Sequence, residues 1–374
     1  MASSLLICKN SDLVQRGRVN YIFRIKNSLP MPTRRQFIQQ SSLLSLGSVL
    51  SPSIGMAQKK AAKIYTVTGA IDVSELGVCL THEHIMSNFG GERSYQPNYD
   101  VAALKAQVLP YLKRIKSLEV NSILDCTTAY FGRDVQLLQE LSEESEIYLI
   151  TNTGYYGAAN DRYIPKHAYQ ETAEQLAERW IQEFEKGIDQ TGIRPGFVKI
   201  AADGGEVSHI DQKLMQAALK TSRATGLTIA CHTGNNPAVS KLAQELMAEE
   251  SVKPSVWIWT HAHQMETSEE LIGAAKAGIW ISLDGLRISG KDTEANQALL
   301  DRHIQHLLAL KEQDLLSRVL ISHDGNSFPR GGAIRPYEGI FTHFIPLLKD
   351  KRFTEQEINQ LLVDNPQQAF AIVE

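Results

Sequence analysis

Two histidines one residue apart end the apolar run in GVCLTHEHIMSN, residues 77–88. Side chains two residues apart in a strand project to the same side, so His82 and His84 can face one point. Neutral imidazole is a common metal ligand, and this spacing offers two of them together. A lone strand-end histidine is more often a hydrogen-bonded core residue, so the interpretation depends on finding further ligands.

Four further residues with suitable side chains lie in later apolar runs: Lys199, His232, His261 and Asp324. Imidazole and carboxylate together suit Zn²⁺, Mn²⁺, Co²⁺ or Fe²⁺. Four histidines and an aspartate exceed what one catalytic zinc with an open position uses. The set therefore predicts two divalent ions, with zinc as the first expectation.

Lys199 fits such a centre only if it carries no positive charge, because burial and two cations both disfavour an ammonium group. A neutral amine can react with carbon dioxide to give a carbamate, whose two oxygens can bridge two ions. Carbamate, Asp324 and one hydroxide would reduce the cluster from +4 to about +1. We therefore expect a carbamylated Lys199; the alternative is a surface or salt-bridged lysine.

The chain from residue 76 alternates short apolar runs with amphipathic segments. Helical spacing is evident in 102–117, 171–188, 212–225 and 295–313. Eight buried strands alternating with helices predict a (β/α)₈ TIM barrel of the α/β class. No glycine-rich phosphate loop follows the first strand, which disfavours a Rossmann-type sheet. The eight runs predicted as strands are 76–84, 122–128, 147–154, 197–202, 228–234, 256–263, 280–285 and 319–325.

The six candidate ligands lie in or at the ends of these runs. In a TIM barrel the reacting groups stand at the C-terminal ends of the strands. The sequence therefore predicts a single metal centre at that mouth of the barrel.

The first 57 residues differ in character, with seven basic residues against Asp12 alone. Paired Arg34 and Arg35, a weakly apolar span and small residues before residue 58 predict a twin-arginine signal, starting at Met31 and cleaved after Ala57. The catalytic domain would then span 63–374 and be periplasmic or secreted. A basic amphipathic helix is the alternative, and the sequence leaves open whether Met1 or Met31 is the true start.

Net charge and the distribution of apolar residues limit the kinds of binding partner that we expect. Removing the +6 of the N-terminal segment from the net −4 of the chain leaves about −10, which argues against a nucleic-acid surface. We expect no membrane domain, since no later apolar stretch reaches about 18 residues. Cys79, Cys126 and Cys231 lie in strand-like runs and are interpreted as buried thiols. The expected partner is a small molecule.

Several motifs resemble the phosphotriesterase-like metal-dependent hydrolases of the amidohydrolase superfamily. The resemblance covers residues 64–372. It implies a binuclear centre in which His82, His84 and Asp324 hold the more buried ion, His232 and His261 hold the more exposed ion, and carbamylated Lys199 bridges them. It also implies a possible homodimer. The motifs are LTHEH (80–84), GRD (132–134), NTGYY (152–156), GIDQTGIRPGFVKIA (187–201), CHTG (231–234), TH (260–261), HD (323–324) and LLVDNPQQAF (361–370).

The chain also departs from that family. The best-known phosphotriesterases relay protons from the eighth-strand aspartate through a histidine and an aspartate, and the corresponding positions here are Gly285 and Gln264. His263 or Arg287 are candidate substitutes. The resemblance places Tyr156 in the metal pocket, where a tyrosine is typical of lactonase-like members.

These observations predict that a metal-bridging hydroxide attacks a lactone or carboxylic ester, with Asp324 moving the proton. Tyr156, Arg287 and Arg330 are the candidate substrate-binding residues. Arg330 and Arg335, in the loop after the eighth strand, would either meet an anionic group or only solvate the rim. The alternatives are a phosphotriesterase or another phosphoester or amide hydrolase on the same cluster, and, remotely, a noncatalytic metal-binding barrel.

Overall fold

The computed structural model describes residues 62–288, 290, 293–330 and 332–373. The predicted export signal and its cleavage site lie outside the described residues, and both remain predictions.

Two short strands, β1 (Ala62–Thr66) and β2 (Gly69–Asp72), precede the barrel. The barrel is a ring of eight parallel strands, as the sequence predicts. Its third strand is made of β5 (Tyr148–Ile150) and β6 (Asn152–Thr153), and its eighth of β11 (Val319–Ile321) and β12 (Gly325–Asn326). Pairing of β12 with β3 (Val78–His84) closes the ring. The barrel segments are β3 (Val78–His84), β4 (Val120–Asp125), β5 (Tyr148–Ile150), β6 (Asn152–Thr153), β7 (Phe197–Ala201), β8 (Ile229–His232), β9 (Trp257–Thr260), β10 (Trp280–Leu283), β11 (Val319–Ile321) and β12 (Gly325–Asn326). A final strand, β13 (Ile372–Val373), pairs antiparallel with β1.

Helices surround the barrel, and local signals fix their ends. Asp100 accepts a hydrogen bond from Ala103 N at the start of α1 (Val101–Lys116), and Thr172 caps the N-terminus of α4 (Ala173–Lys186) with a capping box. The helices are α1 (Val101–Lys116), α2 (Val135–Ser145), α3 (Lys166–Gln170), α4 (Ala173–Lys186), α5 (His209–Thr225), α6 (Pro237–Glu249), α7 (Glu269–Ala277), α8 (Thr293–Lys311), α9 (Ile345–Asp350), α10 (Glu355–Asn359) and α11 (Asn365–Phe370). Shorter 3₁₀ turns lie at Val73–Leu76, Ile188–Gln190, Pro254–Val256, Ala262–Gln264 and Leu316–Arg318, and π-helical turns at Ile340–Phe344 and Gln360–Asp364. In the described part of the chain, no helix combines the length and apolar character needed to cross a membrane.

Two of the three hydrophobic clusters in the described chain hold this architecture, and the third is small. The larger lies between strands and helices, where Val108 of α1 and Ile123 of β4 are fully buried. The smaller fills the barrel interior, with one buried apolar residue from each of the eight barrel strands. Phe197 and Ala230 belong to this inner core, and Lys199 and His232 follow them by two residues. The same strand face that packs the interior therefore presents the polar residues above it.

Several strand boundaries differ from the sequence prediction, and the largest differences are at the C-terminal ends of the second and sixth strands. The second strand starts earlier than expected and ends at Asp125 rather than 128. The sixth ends at Thr260, because His261 adopts a left-handed conformation with φ of 62°. The three cysteines are buried and free, as expected, and burial raises the pKa of Cys79 to about 12.

Candidate metal centre

A cavity of about 200 Å³ lies among the residues that follow the barrel strands. His84 Nε2 lies 3.4 Å and His82 Nε2 lies 3.6 Å from Asp324 Oδ1. The His232 and His261 rings are 4.5 Å apart between centroids. The structure thus brings the six predicted ligands together. The cavity is lined by His82, His84, Phe89, Phe131, Tyr156, Lys199, His232, His261, Arg287, Asp324 and Arg335.

The hydrogen-bond partners fix the tautomers of three histidines. Thr127 donates its hydroxyl proton to the Met86 carbonyl, so its oxygen accepts from His84 Nδ1 at 2.7 Å. Asp284, an acceptor when ionised, lies 2.7 Å from His82 Nδ1 and 2.9 Å from His261 Nδ1. Each Nδ1 therefore carries the proton, which leaves the Nε2 lone pair free. This is the arrangement by which proteins orient histidine ligands toward a metal.

Burial favours the neutral form of His82, His84 and His232. Burial, reinforced by the charge of Lys199, lowers the pKa of His82 to about 3 despite the opposing effect of Asp284. Burial likewise lowers the pKa of His84 and holds that of His232 well below its ordinary value. A neutral imidazole is the form that binds metal, so all three rings are available as ligands at neutral pH.

Asp284 orients two of the candidate ligands, because it contacts His82 and His261 at Nδ1 and leaves Nε2 of each ring free. Its carboxylate also accepts from His261 N at 3.0 Å and Ser282 Oγ at 2.9 Å. Burial alone would raise the pKa of Asp284, but His261 and His82 outweigh it and hold the pKa well below the usual range. His82, His261 and Asp284 form a compact group of possible ligand atoms, but these hydrogen bonds make Asp284 a support of the two histidines.

Lys199 is 1% exposed, and its Nζ has no hydrogen-bond partner among the described residues. A buried, unpaired ammonium is costly, so the position demands a change of charge or an additional group. Gly154 allows the close approach of the neighbouring strand, since an added Cβ would lie 2.1 Å from Lys199 O. The donor set of imidazoles, carboxylate and this orphaned amine therefore fits a centre of two divalent ions.

Asp324 is held by a second buried carboxylate. Glu83 accepts hydrogen bonds from His323 Nδ1 at 2.7 Å and from Gly325 N at 2.6 Å, on either side of Asp324. Asp324 itself has φ of 54°, an uncommon conformation for a residue with a side chain. Backbone strain of this kind clusters at functional sites. Glu83 thus fixes the bend between β11 and β12 that turns Asp324 into the cavity.

The structure explains one departure from the family pattern. A Cβ added to Gly285 would lie 2.3 Å from His263 Nε2, so this imidazole occupies the space of a side chain at 285. His263 Nδ1 lies 3.3 Å from Asp284 Oδ1, and its ring stacks on His303 at 4.7 Å. Arg287, by contrast, contacts Asp324 directly, with NH1 2.7 Å from Oδ2.

The predicted substrate-binding residues separate in space. Tyr156 and Arg287 line the cavity, and the Tyr156 hydroxyl lies 3.3 Å from His232 Nδ1. Arg330 is not among the cavity-lining residues of the described chain; it donates to Gly90 O at 2.9 Å on the rim. The arginine of this loop that reaches the cavity is Arg335. A contact of Arg330 with substrate remains an untested prediction.

Sequence reasoning assigned no role to Glu83, Thr127 or Asp284. Glu83 and Asp284 are charged residues inside or at the end of apolar runs, where an unpaired carboxylate is not tolerated. A charged residue in an apolar run was therefore the available signal that these carboxylates have a structural role. It indicates that each carboxylate has a buried polar partner, but it does not identify that partner.

Comparison with known proteins agrees with this geometry. Residues 62–370 match the phosphotriesterase family, and the chain belongs to that family. It is a metal-dependent hydrolase, and the sequence-based expectation of family and fold is confirmed.

The chain is 25% identical to the phosphotriesterase homology protein of Escherichia coli, over 79% of this chain and 98% of the relative. It is 24% identical to the aryldialkylphosphatase of Saccharolobus solfataricus, over 81% and 97% of the two chains. A solved structure of a mutant phosphotriesterase-like lactonase from Deinococcus radiodurans superposes with a TM-score of 0.72, at 25% identity, covering 82% of this chain and 99% of the other.

Proposed function

We propose that the protein binds two divalent metal ions, with zinc as the first candidate, and uses them to hydrolyse a lactone or a carboxylic ester. The observation that carries the proposal is the buried, unpartnered Lys199 amine in a cavity lined by four imidazoles. A carbamate on Lys199 would supply two anionic oxygens where the fold leaves a lone nitrogen. His82, His84 and Asp324 would hold one ion and His232 and His261 the other.

Two such ions would lower the pKa of a shared water from 15.7 toward about 7 and polarise the carbonyl oxygen of the substrate. The residues of the chain then control position and proton transfer. Asp324 faces His84 and His82 through Oδ1, while Oδ2 is engaged by Arg287. We propose that Asp324 takes the proton released during attack.

Arg287 bears on the choice of substrate. A guanidinium group has no acceptor, so Arg287 cannot carry a proton away from Asp324. We propose that the carboxyl group returns its proton to the leaving oxygen rather than to solvent. In a lactone that oxygen stays attached to the reacting carbon chain and remains within reach, which favours ring opening over release of a separate alcohol.

The size of the cavity also favours a lactone or a carboxylic ester over a phosphate triester. The Tyr156 ring stacks on Phe131 at a centroid distance of 5.1 Å and forms one wall of a cavity of about 200 Å³. A planar carbonyl carbon needs less room than a phosphorus atom bearing three ester substituents. Phosphotriester hydrolysis is the second candidate, because the Saccharolobus solfataricus relative is an aryldialkylphosphatase.

The test is a screen of purified protein with measured metal content against lactones, aryl esters, amides and phosphate triesters. We expect hydrolysis of lactones or carboxylic esters with the highest kcat/KM, abolished by chelation and restored by metal. A protein that holds two equivalents of metal and hydrolyses only phosphate triesters would contradict the choice of substrate. One that hydrolyses none of the four classes would contradict the catalytic proposal.

We also propose that the chain is exported by the twin-arginine pathway, on the basis of Arg34 and Arg35. This route carries folded proteins, which suits a domain that must acquire metal before export. Replacement of both arginines by lysine should retain the protein in the cytoplasm; unchanged export would contradict the proposal.

A further inference from the structure

Arg335 is a cation in the wall of the metal cavity, and none of the described residues forms an ion pair with it. Its Nε is buried, and this atom has no hydrogen-bond partner in the described part of the chain. No ion pair joins its side chain to a described carboxylate. Arg287, the other arginine in the wall, is already paired with Asp324. Arg335 therefore retains most of its hydrogen-bonding capacity for something that enters the cavity.

The backbone holds Arg335 in place. Its N–H donates to Asn326 O at 2.9 Å and its carbonyl accepts from Asn326 N at 2.8 Å, so the residue is bridged to β12. Gly325 packs beneath it, because a Cβ at 325 would lie 2.8 Å from Arg335 O. A residue whose backbone is fixed by hydrogen bonds loses less conformational entropy when its side chain binds a ligand. A solvating rim arginine needs no such support, and no backbone hydrogen bond between described residues holds Arg330 in this way.

The carboxylate that lines the cavity does not neutralise Arg335. Asp324 is paired with Arg287 through Oδ2 at 2.7 Å and lies 3.4 Å from His84 Nε2 through Oδ1. Glu83 is fully buried and engaged with His323. A loaded cluster of about +1, with Arg287 and Arg335 added, gives the cavity about +3 in total. Such a site attracts anions and disfavours cations.

We propose that the substrate carries a fixed anionic oxyacid group, such as a carboxylate, sulfonate or phosphate, which Arg335 binds while the ester or lactone carbonyl lies at the metal centre. This inference rests on the proposed function and narrows it to anionic lactones or esters. Arg335 is a specificity residue, since it contacts the part of the substrate that does not react. Arg335 and the histidines line one cavity of about 200 Å³, and this size limits the anion to a few bonds from the carbonyl.

The experiment compares paired substrates that differ in one charge. Lactones and para-nitrophenyl esters with a free carboxylate are assayed beside their methyl esters, and sulfonate and phosphonate analogues distinguish the oxyacid. The variants are Arg335→Met, Arg335→Lys and Arg162→Met. Arg162 is exposed and donates to Gly90 O at 3.2 Å, so its replacement removes one positive charge at the mouth without altering the cavity wall. Metal content and thermal unfolding are measured for each variant.

We expect Arg335→Met to lower kcat/KM for the anionic member of each pair by about 10- to 100-fold, as for the loss of a charge-assisted hydrogen bond. The methyl esters should be unaffected, Arg335→Lys should be intermediate, and Arg162→Met should resemble the wild type. Equal loss on both members of a pair, or no preference for the anion in the wild type, would overturn the inference and leave the proposed function standing.

Calorimetry with monomethyl glutarate separates the two proposals if no substrate is hydrolysed. Binding by the metal-loaded wild type that Arg335→Met loses would support the anion site while the proposed function fails. The absence of both hydrolysis and Arg335-dependent binding would contradict both.

Discussion

Replacement of Asp284 by asparagine tests how the metal centre is organised. The carboxylate contacts His82 Nδ1 at 2.7 Å and His261 Nδ1 at 2.9 Å, and it accepts from His261 N at 3.0 Å. Asparagine has nearly the same shape but only one accepting oxygen. That oxygen should face His261, where two N–H donors converge. The amide group then faces His82 and Ser282.

His82 would accept that amide proton, so its ring would carry its own proton on Nε2 and would have to change tautomer and lose this hydrogen bond in order to bind metal. Removal of such a supporting partner typically costs 10- to 100-fold in metal affinity, or about 1.4–2.7 kcal/mol. We expect this loss at the ion held by His82, with a smaller effect at the ion held by His261. The fold should persist, because no side-chain volume is lost.

The assay is metal affinity by competition with a chromogenic chelator, with circular dichroism as the check on folding. Asp211→Asn is the matched control, since Asp211 is also buried but lies on α5. Wild-type affinity in Asp284→Asn would refute the tautomer reasoning. Equal weakening in Asp211→Asn would show that the effect is not specific to the centre.

Three other changes give separate tests. Lys199→Met should lose metal and activity, with partial rescue by short-chain carboxylic acids that replace the carbamate; a variant that keeps both without rescue would remove the bridging role. Gly154→Ala should lower the free energy of unfolding by at least about 2 kcal/mol more than Gly69→Ala in denaturant titration, because both glycines have φ above 110° but open space surrounds only Gly69. Burial raises the pKa of Asp211 to about 6 from 3.8, so ionisation of this carboxyl group disfavours the folded state. The free energy of unfolding of the wild type should therefore fall by about 1–3 kcal/mol relative to that of Asp211→Asn as pH rises from 4 to 7. Parallel curves of stability against pH for the two proteins would contradict this.

The eight strands and the convergence of the ligands follow from short-range patterns. Alternation along a strand puts Lys199 above Phe197 and His232 above Ala230, and a parallel barrel brings all strand ends to one mouth. Neither step requires knowledge of a distant contact. The sequence was therefore sufficient for the fold and for the placement of these side chains.

The supporting contacts could not be predicted because they join distant segments. Glu83 and His323 are 240 residues apart in the chain, and His82 and Asp284 are 202 apart. The choice between Arg330 and Arg335 depends on the backbone bridge to Asn326. The left-handed conformation of His261 likewise reflects its tertiary setting, since nothing in its local sequence requires it.

The His263 ring fills the space that a side chain at position 285 would occupy, and this limits the substitutions that the active site can accept. A histidine introduced at 285 would collide with the ring already there, so that change alone should misfold the loop. The substitution becomes sterically possible only if residue 263 is first replaced by a small residue. That single variant would have an unfilled cavity beside Asp284 and His303. The path toward a relay-bearing active site therefore passes through a destabilised variant, and laboratory evolution should acquire the two mutations as a pair or in that order.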